Sequence, residues 1–92
     1  GFLPKSESSR KRIFTELKRA QTTVVLFESP YRVKDTVFDI MNVFGDIHIV
    51  LTRELTKLHE EIIRSAAGDI LKSFDQKKPK GEFVILFSTK YS

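Results

Sequence analysis

The sequence predicts a single α/β domain, a mixed sheet of about four to five strands flanked by about three helices. Apolar residues recur at helical spacing in three stretches, and short β-branched or aromatic runs lie between those stretches. The 92 residues suffice for one domain with a real core. Because 40% of them are apolar, we expect residues 1–92 to fold as one unit.

The composition excludes several classes of site. The chain has no Cys, which rules out disulfides and thiolate metal sites, and its two His argue against a structural zinc site. No apolar run approaches the roughly 20 residues needed to cross a membrane, and no signal peptide is visible. We therefore expect a cytoplasmic protein without a metal. The net charge of +4 permits a nucleic-acid partner without requiring one.

The first helix is predicted from about Ser6 to Gln21. Its apolar residues at positions 13, 14, 17 and 20 share one face, and a Ser can cap its start. Arg10, Lys11 and Arg12 follow in the first turns, where cations oppose the helix dipole. Local stability does not explain them, so they are predicted either to meet a phosphate-rich partner or to form a solvated face.

A strand, a helix and a second strand come next. The apolar run Thr23–Phe27 predicts a central strand. Ser29 and Pro30 suit the N-cap and first residue of a helix that Gly45 closes. Residues Ile47–Leu51 predict the next strand. This order predicts a right-handed unit with parallel strands, whose carboxyl ends share one edge of the sheet.

The remaining elements are predicted in this order: a short strand over residues 60–64, a helix from about Ala66 to Lys77 capped by Ser65, a turn over residues 80–82, a second central strand over residues 83–87 and a tail over residues 88–92. A helical continuation through His59 is the alternative to the short strand.

Polar runs follow both strands of the predicted unit. Glu28, Ser29 and Arg32 come after the first strand. The run Arg53-Glu54-Leu55-Thr56-Lys57-Leu58-His59-Glu60-Glu61 comes after the second, without the Gly or Pro of an ordinary loop. Ligands of open α/β sheets bind at the carboxyl edge, so the two runs predict a site there. The alternatives are a self-paired charge cluster and, for Arg32, a salt bridge to Glu28.

The catalytic chemistry is not specified by these residues. There is no Gly-rich phosphate loop and no recognisable Ser-His-Asp pattern. Four glutamates (28, 54, 60 and 61) include candidate general bases, although exposed carboxylates on a basic domain usually only balance charge. Arg32 and Arg53 are better candidates, since an Arg at a sheet edge suits phosphate or carboxylate.

Five runs together carry a resemblance to a known family. They occur in this order: Gly1-Phe2-Leu3-Pro4-Lys5, Phe27-Glu28-Ser29-Pro30-Tyr31-Arg32, Phe44-Gly45, Arg53 to Glu61, and Lys80-Gly81-Glu82. In this combination the chain resembles the C-terminal half of the ribosomal RNA small subunit methyltransferase I family, part of the tetrapyrrole methylase superfamily.

The resemblance implies an enzyme that transfers a methyl group from S-adenosylmethionine to the ribose 2′-hydroxyl of a cytidine in 16S rRNA of the small ribosomal subunit. It implies two domains with the cofactor in the cleft between them, the Gly-rich cofactor loop belonging to an N-terminal domain outside these residues. Residues 1–5 would be the interdomain junction. The isolated chain would be inactive, and the parent protein could be a homodimer.

The same resemblance assigns roles to individual residues. Cofactor contacts would come from Leu55, Thr56, Lys80, Gly81 and Glu82. Substrate or RNA contacts would come from Arg10, Lys11, Arg12, Glu28, Ser29, Arg32, Arg53 and Lys57. No catalytic residue is identified by the family pattern, and the candidates are Glu54 as a base and Lys57 as a cationic contact.

The chain departs from the family pattern at three places. Phe27 stands where the family often has Tyr, Tyr31 where it often has His, and Ser65-Ala66 where it tends to have Gly-Thr. We therefore expect that neither a ring hydroxyl at position 27 nor an imidazole at position 31 is essential. Two other functions fit the same residues: a free-standing basic RNA-binding module, and a superfamily relative that methylates a different acceptor.

Overall fold

The computed structural model describes residues 2–90, which form three helices and one four-stranded sheet. In chain order the elements are α1 (Glu7–Ala20), β1 (Thr23–Glu28), α2 (Val33–Phe44), β2 (His48–Thr56), β3 (His59–Ala66), α3 (Ala67–Gln76) and β4 (Glu82–Ser88). The predicted α/β class and the approximate numbers of strands and helices are confirmed. Gly1 of the predicted junction and the last two residues of the predicted tail lie outside the described residues.

The strands are ordered β1-β4-β2-β3, and every neighbouring pair is antiparallel. The sheet over residues 2–90 is thus antiparallel, where a mixed sheet was predicted, and β1 and β2 are not hydrogen-bonded to each other. Both strands run in the same direction, but β4 lies between them and pairs with each. The predicted common edge is nevertheless confirmed, because Glu28 and Arg53 are both in register with Phe83.

All three helices cover one face of the sheet. Buried side chains alternate along β1, β2 and β4 and join those of the helices in a single core. Three rings, of Phe14, Phe44 and Phe87, have centroids 5.2–6.2 Å apart at its centre. The helices α1, α2 and α3 use the predicted apolar faces, except that Ala20 at the end of α1 is exposed, so the periodicity of the sequence gives most of the buried surface.

In the part of the chain that the structure describes, the opposite face of the sheet carries no helix, and this overturns one prediction. Strand β1 is an edge strand, not a central one. Its Val25 and Phe27 side chains are each 42% exposed. An apolar run on both faces suggested burial on both faces, but the helices pack on only one of them. Only β4 confirms the prediction of a central strand.

Two helix starts differ from the prediction. Helix α2 begins at Val33, because the Ser29 carbonyl first accepts backbone N–H groups of Arg32 and Val33 in a turn, at 3.1 and 3.0 Å. Helix α3 has no side-chain cap from Ser65. Instead the Asp46 carboxylate accepts the N–H of Gly68 at 2.7 Å across the sequence.

Both strands of the β2–β3 hairpin are longer than predicted. Strand β2 continues through Arg53 to Thr56, and β3 confirms the short strand over the helical alternative. The tail is also ordered as far as described: Thr89 is fully buried, and its Oγ1 donates to the Leu17 carbonyl at 2.9 Å. Among residues 2–90, no helix is long and apolar enough to cross a membrane.

Candidate functional site

Residues 53–61 form the tip of a β-hairpin and not a rim that begins where β2 ends. Only Lys57 and Leu58 connect β2 to β3. The Thr56 Oγ1 accepts a hydrogen bond from the Leu58 N–H at 3.2 Å, next to a register shift between Glu54 and Thr56. Strand β4 pairs with β2 only as far as Glu54. The hairpin tip, with Lys57, therefore extends beyond the rest of the sheet.

The alternation of side chains separates the charges of this hairpin onto two faces. Arg53 lies on the helix-covered face, where its Nη2 donates to Oε2 of Glu61 at 2.5 Å. Glu54 lies on the open face, in register with Glu60 of β3 and Glu82 of β4. The motif thus places the Arg53–Glu61 ion pair on one side of the sheet and the Glu54 and Glu60 carboxylates on the other.

Glu28 at the end of β1 and Arg32 after it form hydrogen bonds and an ion pair within the fold. Glu28 is buried; Thr36 Oγ1 donates to its carboxylate, and Arg32 Nε lies 3.9 Å from its Oε1. Arg32 Nη2 also donates to the carbonyls of Leu3 and Pro4 at 3.2 and 3.0 Å. The salt bridge considered as an alternative is therefore present, and the same arginine joins the N-terminal segment to the start of α2. A substrate role for Glu28, Arg32 and the adjoining Ser29 stays a prediction.

The basic run of α1 is divided by burial. Arg10 is 9% exposed, and its Nε donates to Oδ2 of Asp39 at 2.6 Å. Its Nη1 donates to the Lys5 carbonyl at 2.5 Å. This position does not favour the predicted contact between Arg10 and RNA, because the guanidinium is used inside the fold. Lys11 and Arg12 are exposed, and for them the prediction stands.

The predicted cofactor contacts are brought together by the turn before β4. Gly81 has a φ of +88°, and a Cβ at this position would overlap the carbonyl oxygen of Glu54. The Leu55 side chain lies 3.3 Å from the same point. Residues Lys80–Glu82 therefore rest on the strand that carries Leu55 and Thr56. Whether these residues contact a cofactor stays a prediction.

A cavity of about 350 Å³ opens on the uncovered face at this edge of the sheet. Its apolar part includes Phe2 and Phe27, whose ring centroids are 5.7 Å apart. Its polar part includes Glu54, Glu60 and Glu82, whose carboxylates have no hydrogen-bond or ion-pair partner within residues 2–90. Like charges on adjacent strands repel one another. The cavity thus suits a ligand that is cationic on one side and apolar or aromatic on the other.

Sequence analysis names Glu60 only as one of four candidate general bases, and it assigns no site role to the ring of Phe27. Both lie in the cavity because strand pairing places Glu60 opposite Glu54 and Phe27 opposite Val84, which also line it. The only available signal was the alternation within each strand, which does not say which strands are neighbours. In the described part of the chain, no group of three or more His, Asp or Glu side chains is arranged to hold a metal ion.

Comparison with known proteins identifies a consistent set of relatives. The chain is 39% identical over 90 residues to ribosomal RNA small subunit methyltransferase I of Thermotoga maritima, which aligns with 98% of this chain and 40% of that protein. It is 38% and 34% identical over 86 residues to the proteins of the same name from Streptococcus pyogenes and Bacillus subtilis. These two alignments cover 94% of this chain and 30% of each relative. The chain thus spans 30–40% of the length of these relatives, and no family model matches it.

Proposed function

Because this chain belongs to the ribosomal RNA small subunit methyltransferase I family, we propose that it is the C-terminal domain of an S-adenosylmethionine-dependent enzyme that methylates the 2′-hydroxyl of a cytidine in 16S rRNA. The observation that carries the proposal is the alignment of 94–98% of these residues with enzymes of that name. The assignment as an rRNA small subunit methyltransferase I domain follows directly from those relatives. Action on small ribosomal subunits would place the enzyme in the cytoplasm.

In this proposal the open face of the sheet forms one wall of the cofactor and substrate cleft, and an N-terminal domain forms the other. The chemistry of the cavity supports a cationic cofactor. S-adenosylmethionine carries a sulfonium and an ammonium group beside an aromatic base, and Glu54, Glu60 and Glu82 lie beside Phe2 and Phe27. Leu55, Thr56 and the Lys80–Glu82 turn would hold it. When bound, it supplies an electrophilic methyl group.

The part of this chain in the reaction would be to orient the acceptor ribose and to receive its proton. Glu54 is the candidate base, since its carboxylate is exposed and lines the cavity. Lys57, exposed at the hairpin tip, is the candidate cationic contact to the substrate. Lys11 and Arg12 would add sequence-independent attraction to rRNA phosphates. Positioning of this kind can contribute several orders of magnitude in rate.

Methyl transfer from labelled S-adenosylmethionine to small ribosomal subunits tests the proposal. The full-length protein that carries this sequence should label a cytidine ribose of 16S rRNA, and the isolated 92-residue chain should label nothing. If neither protein transfers label, although circular dichroism shows that both are folded, the rRNA activity is refuted. That result would leave an RNA-binding module or a relative with a different acceptor.

The candidate base is tested in the same assay with Glu54→Gln. We expect kcat to fall by about 10²–10⁴-fold, the usual range for loss of a general base. Glu16→Gln on α1, which also removes one exposed carboxylate, is the matched control and should retain full activity. Equal rates for the two variants would exclude Glu54 as the base.

A further inference from the structure

We propose that a second cavity, on the helix-covered side of the hairpin, binds a phosphate group of the RNA backbone through Arg53 and Lys77. This inference rests on the proposed function, because it names the part of the RNA that this side of the domain contacts. The cavity has a volume of about 290 Å³ and lies between the end of α3 and strands β2 and β4. It is separate from the carboxylate-lined cavity on the open face.

The first observation is an unsatisfied donor. Arg53 Nε is buried and has no hydrogen-bond partner in the described structure, although the neighbouring Nη2 donates to Glu61. The Arg53 side chain is 14% exposed, so this donor cannot turn freely to solvent. A buried N–H without a partner costs about as much as a lost hydrogen bond, and it commonly marks a bound water or ion. Arg53 lines the cavity, so an anion there would lie beside its guanidinium and would reach the buried Nε after a shift of the side chain.

The second observation is the charge around the cavity. Lys77, at the C-terminal end of α3, lines the cavity together with Gln76. The nearby carboxylate of Asp75 is already paired, with its Oδ1 2.7 Å from Lys34 Nζ. Glu61 remains as one carboxylate against two cations. An arginine N–H and a lysine ammonium around one pocket form a typical phosphate-binding set.

The third observation indicates RNA as the source of the phosphate. Lys77 begins the exposed segment Lys77-Lys78-Pro79-Lys80, in which no lysine has an ion-pair partner among residues 2–90. Only Lys77 and Pro79 of this segment line the cavity. A small free anion would occupy the cavity alone. A polyanion would occupy the cavity with one phosphate and contact Lys78 and Lys80 with its neighbours.

The test follows the Nε–Hε NMR signal of Arg53 in the full-length protein labelled with ¹⁵N-arginine. Loss of one signal in Arg53→Lys assigns it. We expect both inorganic phosphate and a short single-stranded RNA to shift this signal saturably, while chloride at equal ionic strength leaves it in place. An unmoved signal at saturating RNA, or an equal shift with chloride, would overturn the proposal. A shift with phosphate but none with RNA would do the same.

Lys77→Glu and Lys78→Glu form a matched pair, because they make the same charge change at adjacent exposed positions and only the first lines the cavity. Lys77→Glu should weaken phosphate binding about tenfold, the loss of one charge-assisted contact. Lys78→Glu should change the affinity for inorganic phosphate less than about twofold, because a single phosphate in the cavity does not reach Lys78, whose charge is screened. Equal effects would mean general electrostatic attraction and would overturn the assignment.

The NMR measurement does not depend on methyl transfer, so the phosphate site and the proposed activity can fail independently. If the protein methylates rRNA while the Arg53 signal ignores phosphate and RNA, this inference fails alone. If phosphate and RNA shift the signal while no methyl group is transferred, the proposed activity fails and the phosphate site remains.

Discussion

At the scale of single residues, burial decides what a charged side chain does. Arg10 and Lys11 are neighbours in a run of three cations, yet one is inside the fold and the other is exposed. Arg10 joins α1 to Asp39 of α2 and to the N-terminal segment through the Lys5 carbonyl. A buried charge of this kind stabilises little compared with an apolar pair, but losing its partner is costly.

Asp39→Ala tests this role. It leaves the Arg10 guanidinium buried without its carboxylate, so we expect the free energy of unfolding to fall by about 3–5 kcal/mol in urea denaturation. Asp35→Ala, on the exposed side of the same helix, is the control and should cost no more than about 1 kcal/mol. Similar losses for both variants would argue that Asp39 acts only through helix electrostatics.

At the scale of elements, the sheet edge is assembled by the contact between the turn before β4 and strand β2. Gly81 lies directly over the Glu54 carbonyl, and this close approach aligns Glu82 with Glu54. The Lys-Gly-Glu run thus has a structural reason for its glycine, independent of any cofactor. Both a positive φ and a lack of space exclude a side chain there.

A comparison of Gly81→Ala with Gly45→Ala separates the cost of the positive φ from the cost of the missing space. Both positions have a φ of +88°, but a Cβ at Gly45 meets nothing within 4 Å. We expect each substitution to cost about 1–3 kcal/mol from backbone strain. Gly81→Ala should cost a further amount of about 1–3 kcal/mol, because β4 must move away from β2. Thermal unfolding of the two variants measures the difference, and equal losses would show that the edge adjusts without cost.

At the scale of the whole molecule, the fold is one-sided. The core lies between three helices and one face of the sheet, and the N-terminal segment completes that core with Leu3. The other face keeps Val25, Phe27 and Ile62 substantially exposed. In the proposed enzyme this face is where the second domain and the cofactor meet the chain. A homodimer stays a prediction.

Leu3→Ala tests how far the N-terminal segment belongs to the domain. Leu3 is 7% exposed, so we expect the substitution to lower the free energy of unfolding by about 2–5 kcal/mol. Phe2→Ala, at a neighbouring residue that is 74% exposed, should cost less than about 1 kcal/mol. A Leu3→Ala variant as stable as the unmodified chain would assign residues 2–5 to a linker outside the core.

The sequence by itself determined the elements and their buried faces. Helical spacing placed the inward sides of α1, α2 and α3, and continuous apolar runs identified β1 and β4 as strands, although only β4 is central. The common edge of β1 and β2 also followed, because two strands that point the same way end on the same side. These features depend on local periodicity and chain direction, which can be read from residues close together in the sequence.

Only the tertiary structure decided which elements are neighbours. It placed β4 between β1 and β2, buried Arg10 against Asp39, and set Glu54 beside Glu60 and Glu82. The same strand pairing places Arg53 and Glu61 on one face of the hairpin and Glu54 and Glu60 on the other. These features depend on contacts between residues far apart in the chain. The free energy that stabilises these contacts comes from packing between distant segments, which no local sequence pattern specifies.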